Sequence, residues 1–247
     1  MKKIILAALI GFLTHALPAE SKEVIIYTYE FPGETDMLPG GLIGGVAGEV
    51  ITNALNKENI SFKVIWVPWK RAQAKIIGGM ESNAFIIPLS RNDERERDYQ
   101  WVSKLYDSYT AFFSLGEKRK INSLNEIGSY RVGVLSGTSG EYFLRENGFQ
   151  NKIDGSNEEY RNAKKLILGR IDTWYARVIL GRHLLSKEGF SRQYINVGKS
   201  IETEQDYIAT SKNSDKETVE KVKSAINKYK KTDEYKALLI KYQDESK

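Results

Sequence analysis

The chain has 247 residues, with 37 Lys and Arg against 32 Asp and Glu, a formal charge of +5. It contains no cysteine and only two histidines, which excludes a disulfide framework, cysteine metal sites and histidine clusters. Basic and acidic residues alternate along most of its length, so the small positive surplus does not point to nucleic acid.

Residues 1–19 read as a secretory leader. Lys2 and Lys3 form a basic start, Ile4–Leu13 an apolar run, and Ala-Leu-Pro-Ala ends at Ala19 before the charged segment Glu20–Glu23. The run is too short for a membrane span, and no later window holds about 18 uninterrupted apolar residues. The expectation is an exported protein, free in the periplasm, with no stable membrane insertion and no lipid-bearing cysteine. His15 leaves with the leader, so a Ser-His-Asp triad would rest on His183 alone, which lies within a helical pattern.

Strand and helix patterns then alternate, which predicts an α/β fold with mostly parallel sheets. Val24–Tyr29 reads as a strand, Phe31–Gly41 as a Pro/Gly loop and Gly44–Asn56 as a helix. Phe62–Val67 is the next strand; Pro68 takes the first-turn position of a helix over Trp69–Ile77, and Ala84–Leu89 is a short buried strand. A second unit begins near Ser123, where Ser123-Leu-Asn-Glu126 matches a capping box. Tyr130–Leu135 is a strand, Ser136–Gly140 a loop and Glu141–Asn147 a helix. Further helices are expected over Asn157–Leu168 and Val178–Lys187, with strands at Ile171–Tyr175, Tyr194–Val197 and Tyr207–Ala209. Two helices, from about Asp215 to Lys230 and from Asp233 to Tyr242, close the chain; their basic run is read as a solvated face. No flexible linker separates the units. Two lobes, residues 20–110 with 208–247 and residues 111–207, would therefore join through strand-like crossings at Tyr109–Leu115 and Glu202–Thr210. Two crossings make a hinge.

Three groups of residues carry candidate chemistry. Ser90, Arg91 and Arg95 follow the carboxyl end of a buried strand, where an open α/β sheet places ligands. A guanidinium there suits a carboxylate or phosphate, because its planar fork donates parallel hydrogen bonds. The alternative is a solvated turn in which the arginines pair with Asp93, Glu94, Glu96 and Asp98. Ser136-Gly-Thr-Ser-Gly-Glu141 would leave free N–H groups at a helix start, a site for an anion or a plain N-cap. Tyr29, Phe31 and Trp69 could wall a cleft or belong to the core, while Trp101, Trp174 and Tyr175 are read as packing.

The blocks VPWKRAQAKIIGG, IIPLSRNDERERDYQWV, YRVGVLSGTSGEYFL and AKKLILGRID, with the closing helices, occur in an order that resembles family 3 extracellular solute-binding proteins. These are amino-acid receptors of ABC importers with a type II periplasmic-binding fold, and the resemblance spans Val24 to about Tyr242. It implies a two-lobed receptor, monomeric and without cofactor, that closes on a small carboxylate and delivers it to an inner-membrane permease. By the same resemblance Ser90 and Arg95 hold the carboxylate, Thr138 and Ser139 close from the second lobe, and Trp69 stacks on the ligand, with Tyr29 or Glu30 as the other wall. Where many such receptors carry an acid for the ligand ammonium, this chain has Arg177. A bare cation there would favour dicarboxylates, keto acids or hydroxy acids over basic amino acids. A dehydratase-like enzyme using Glu30 or Glu141, or a ligand sensor, are the alternatives on the same scaffold.

Overall fold

The computed structural model describes residues 23–118 and 120–246. The leader expected over residues 1–19 lies outside the described residues.

In chain order, β1 (Val24–Thr28) leads through the small β2 (Asp36–Met37) and β3 (Ile43–Gly44) to helix α1 (Gly45–Lys57). Next come β4 (Phe62–Trp66), α2 (Trp69–Gly78) and β5 (Ala84–Ser90). Strand β6 (Gln100–Leu115) is followed by β7 (Val132–Leu135), α3 (Ser139–Glu146), β8 (Ile153–Ser156), α4 (Glu159–Ile167), β9 (Thr173–Arg177) and α5 (Val178–Lys187). Strands β10 (Ile195–Val197) and β11 (Glu202–Thr210) precede the final helices α6 (Lys216–Tyr229) and α7 (Asp233–Ser246).

The principal strands run in the order β4-β1-β5-β11-β6-β9-β7-β8, with β10 pairing β6. Each end of this sheet is parallel: β4, β1 and β5 on one side, β9, β7 and β8 on the other. Between them β11 and β6 pair antiparallel with each other, with β5 and with β9. These long strands include the segments expected as crossings, and positions 110/111 and 207/208, the expected lobe divisions, lie within them. The first crossing is longer than the pattern suggested, because Lys104 and Asp107 interrupt its apolar run and satisfy each other as an ion pair at 2.7 Å.

Burial explains the strand sequences. β1 and β5 are buried along their whole length, as strands covered on both faces must be, and read as apolar runs rather than alternations. Pro88 lacks a ladder N–H, and β11 accommodates it with a register shift between Tyr207 and Ala209. Past that irregularity Ser90 faces Asp206. The expected Ser123–Glu126 capping box does not form: Ser123 Oγ donates to the Glu126 side chain at 3.3 Å and makes no cap bond to a backbone N–H, and the segment is only a single 3-10 turn.

The loop after β1 is held against the start of α1. Thr35 Oγ1 donates to Tyr29 O at 2.7 Å and accepts from Phe31 N, while Ala47 N donates to Glu34 O at 2.9 Å. Gly45 adopts φ +76°, and a Cβ there would lie 2.5 Å from the Glu34 carbonyl carbon. Only glycine lets these backbones approach so closely. Gly45→Ala should cost at least about 2 kcal/mol of stability in urea unfolding, from left-handed strain plus displacement of the Glu34 loop.

Candidate functional site

The lobes meet over a cleft at the carboxyl ends of β1 and β5, faced by β9 and the starts of α3 and α4. Phe31, Trp69, Ser90 and Arg95 line it from one side, and Thr138, Ser139, Glu159, Tyr175 and Arg177 from the other. Thr110 and Glu204, on the crossing strands, form its floor. The void between these residues is 40 Å³, room for a few waters.

Arg95 sits in a short 3-10 turn after β5, which Asn92 caps by accepting from the Arg95 N–H. Only 5% of the residue is exposed. Its Nη1 donates to Ser90 O at 2.9 Å, and its Nη2 to Gly137 O, across the lobe boundary, at 3.1 Å. Gln73 donates to the same Gly137 carbonyl at 3.2 Å. The Arg95 Nε–H has no hydrogen-bond partner, and among the described residues no carboxylate lies within ion-pair distance of this guanidinium. Burial lowers its pKa, with weaker opposing pulls from Tyr99, Glu204 and Tyr142. A buried cation held mainly by carbonyls is costly, and an anion would relieve that cost. Arg91, by contrast, bonds Glu96 at 2.6 Å on the surface and lies over the Trp101 and Tyr207 rings. Arg97 is exposed beside Asp98.

Arg177, at the end of β9, corrects the expectation of a bare cation. Its guanidinium bonds Glu34, meets Asp206 and Ser90 Oγ at 2.6 Å each, and lies 3.7 Å from Glu204. Three carboxylates surround one cation, so the basis for preferring dicarboxylates disappears. Burial pushes the Glu34 carboxyl up to about 7 against the pull of Arg177, and it raises Asp206 as well. Ser90 is committed to the same network, since its hydroxyl also donates to Asp206 at 3.0 Å.

The remaining expected residues divide. Trp69 is buried, its ring edge-on to Phe31 at 5.1 Å, and both line the cleft. Thr138 caps α3, donating to Leu135 O at 2.7 Å and accepting from Glu141 N. Its hydroxyl is thus occupied locally. Ser139 lines the cleft without such a bond. Tyr29 packs against Phe31 outside the lining; burial first, then the Glu159 and Glu158 carboxylates, push its pKa up to about 12. Its hydroxyl therefore faces the start of α4. Glu30 is exposed and outside the lining, so it cannot stand in for the missing acid. Glu141 accepts from Gly137 N at 2.6 Å and from Arg145 at 2.8 Å, a capping arrangement. His183 is exposed on α5.

Four acids that the sequence reading passed over shape the cleft. Glu202, Glu204 and Asp206 occupy alternate positions of β11 and so share one face, a spacing visible in the sequence. Glu202 accepts from Tyr175 Oη at 2.5 Å, and Glu204 from Thr110 at 3.1 Å. Glu159 opens α4, is 7% exposed, and accepts from Trp174 Nε1 at 3.1 Å and Asn162 at 3.2 Å. Trp174, read only as packing, thus orients a cleft carboxyl. Among the described residues no cluster of acids or histidines could hold a metal, and no helix is long and apolar enough to cross a membrane.

Solved structures share this architecture. A histidine kinase sensor domain with similarity to periplasmic binding proteins superposes with TM-score 0.80 at 14% identity, over 90% of this chain and 96% of that one. ArtJ, the arginine-, lysine-, histidine-binding protein of Geobacillus stearothermophilus, gives 0.77 at 14% identity, covering 90% and 95%. A histidine-bound substrate-binding protein of an ABC uptake transporter from Streptococcus pneumoniae gives 0.77 at 17%, covering 89% and 92%. No protein-family profile and no curated protein matches the chain by sequence. The fold is the two-lobed one of periplasmic binding proteins.

Burial pushes Glu159 from 4.5 up to about 7, against the hydrogen bonds from Asn162 and Trp174. Its favourable contribution to folding is full below pH 4.5, where both states hold the proton. It is lost as pH rises to 7, because the unfolded chain releases the proton first. Glu159→Gln should therefore stabilise the protein by about 3 kcal/mol at pH 8. In chemical denaturation that advantage should shrink towards zero near pH 4.5.

Proposed function

We propose that the protein is a periplasmic solute-binding receptor of an ABC importer, which captures an amino acid or related small carboxylate by closing its lobes. The observation that carries this reading is Arg95: a guanidinium buried in the interlobe cleft, without a carboxylate partner and with an unpaired Nε–H. A ligand carboxylate on its free edge would complete it. Ser139 and the N–H groups at the start of α3 offer a contribution from the facing lobe. Trp69 and Phe31 would pack on the ligand body, and Glu159 and Glu204 would accept from its ammonium or other donor.

The similarity to ArtJ and to the histidine-bound receptor supports an amino acid as the solute. The acids around Arg177 support the same choice, since they leave no uncompensated cation to repel an ammonium. Binding would follow parting of the lobes, replacement of the Arg95–Gly137 bond by ligand contacts, and reclosure. The ligand shifts the equilibrium only as far as it binds the closed form better. A monomeric receptor needs no cofactor for this, and the permease would read the closed shape. A sensory role is the second reading, favoured by the similarity to a kinase sensor domain; it uses the same site and differs only in the membrane partner. The enzyme reading lacks its proposed acids, because Glu30 is outside the cleft and Glu141 caps a helix.

A thermal-shift screen of amino acids, organic acids and short peptides should identify the solute. Arg95→Ala should then weaken its binding by about 2–4 kcal/mol in calorimetry, as expected when one partner of a buried charge pair is removed. Unchanged affinity in that variant would remove Arg95 from the site.

A further inference from the structure

Arg95 borders two spaces. On one flank it lines the cleft together with Ser90 and Ser139; on the other it lines an open groove with Gln73, Tyr99 and Tyr142. An arginine beside open solvent is ordinarily well exposed, yet only 5% of this residue is accessible. Protein groups on the groove side therefore cover its guanidinium. Gln73 and Tyr99 come from the same side of the cleft as Arg95 itself; Tyr142 comes from across it.

Tyr142 belongs to α3, and its ring centroid lies 5.8 Å from the Arg95 guanidinium carbon, a cation–π distance. It lines this groove and a neighbouring one but not the cleft, so the ring stands on the flank turned to solvent. The start of α3 makes a second contact with the same guanidinium, since Gly137 O accepts from Arg95 Nη2 at 3.1 Å. Glu141, next to Tyr142 in the chain, accepts from Gly137 N at 2.6 Å. That bond ties the carbonyl and the ring into one unit that meets Arg95 together. Asp93, Glu94 and Asp98 line the same groove. A guanidinium uncovered there would meet water and these carboxylates, and its pull on an anion in the cleft would weaken.

We propose that Tyr142 is a positioning residue for the Arg95 subsite: its ring closes the outer flank of the guanidinium, keeps groove water from it, and leaves the cleft as the approach for a carboxylate. The purpose of this seal rests on the receptor reading, because a dry guanidinium holds a carboxylate more strongly than a wet one. The contact that makes the seal does not depend on that reading. The ring face supplies it, so the Tyr142 hydroxyl is dispensable.

Hydrogen exchange of the Arg95 Nε–H with water, followed by nitrogen-15 NMR on the full chain without added solute, reads the seal. Tyr142→Ala should speed that exchange by about tenfold or more. Tyr142→Phe, which keeps the ring, should stay within about threefold of the wild-type rate. In the wild type, Tyr142 ring protons should show nuclear Overhauser contacts to the Arg95 side chain, a measurement that stands if the alanine variant does not fold. An unchanged rate in Tyr142→Ala, an equally fast rate in Tyr142→Phe, or absence of the Overhauser contacts would overturn the proposal. So would a wild-type Nε–H that already exchanges as fast as free arginine. A thermal-shift screen that finds no solute would count against the receptor reading and leave the exchange result standing.

Discussion

Burying two guanidinium groups at one lobe boundary is the constraint around which this molecule is arranged. An isolated buried cation is costly, and the cost is offset only by charges or dipoles placed around it. Arg177 meets that demand from within the chain, through Glu34, Asp206 and the more distant Glu204. Arg95 meets it incompletely, through carbonyls from both lobes. The contrast separates a structural cation from one suited to a ligand. It also explains why the loop after β1 is so tightly tied, since displacing Glu34 would strip Arg177 of its first partner.

The surrounding architecture places both groups without adjustable linkers. β5 delivers Ser90 and the turn bearing Arg95; β9 delivers Arg177 from the other lobe; β11 supplies a row of acids between them. Because β6 and β11 run through both halves of one sheet, relative motion of the lobes must bend these strands. Parting the lobes breaks the contacts of Arg95 and Gln73 with Gly137, and those of Arg177 with Glu34 and Ser90. On the proposed reading, closure carries its own polar contacts, and a solute would have to offer the cleft more than those contacts supply.

Much of this was legible in the residues. Buried runs such as Val24–Thr28 and Ala84–Ser90, and Pro68 ahead of α2, mark the first lobe clearly. Arg95 stands out because it follows a buried strand at the place where such sheets bind ligands. The strand Ile153–Ser156 was missed, since Ile-Asp-Gly-Ser shows neither alternation nor an apolar run and is held by pairing with β7. Glu159 looked like an ordinary acid in a first helical turn; only tertiary packing beneath Trp174 buries it. The alternating Glu202, Glu204 and Asp206 were a usable signal, read only as a crossing strand. Arg177 was singled out from its position, but its partners lie far away along the chain at 34, 204 and 206, and no local pattern announces them.

The proposed division of labour between the two arginines can be tested directly. With the stabilising solute in hand, the side-chain Nε–H resonances of Arg95 and Arg177 can be followed by nitrogen-15 NMR during titration. The account predicts that the Arg95 signal moves strongly downfield as its unpaired N–H gains a carboxylate, while Arg177 returns to its unliganded position at saturation. A strong shift at Arg177 with Arg95 unmoved would contradict it.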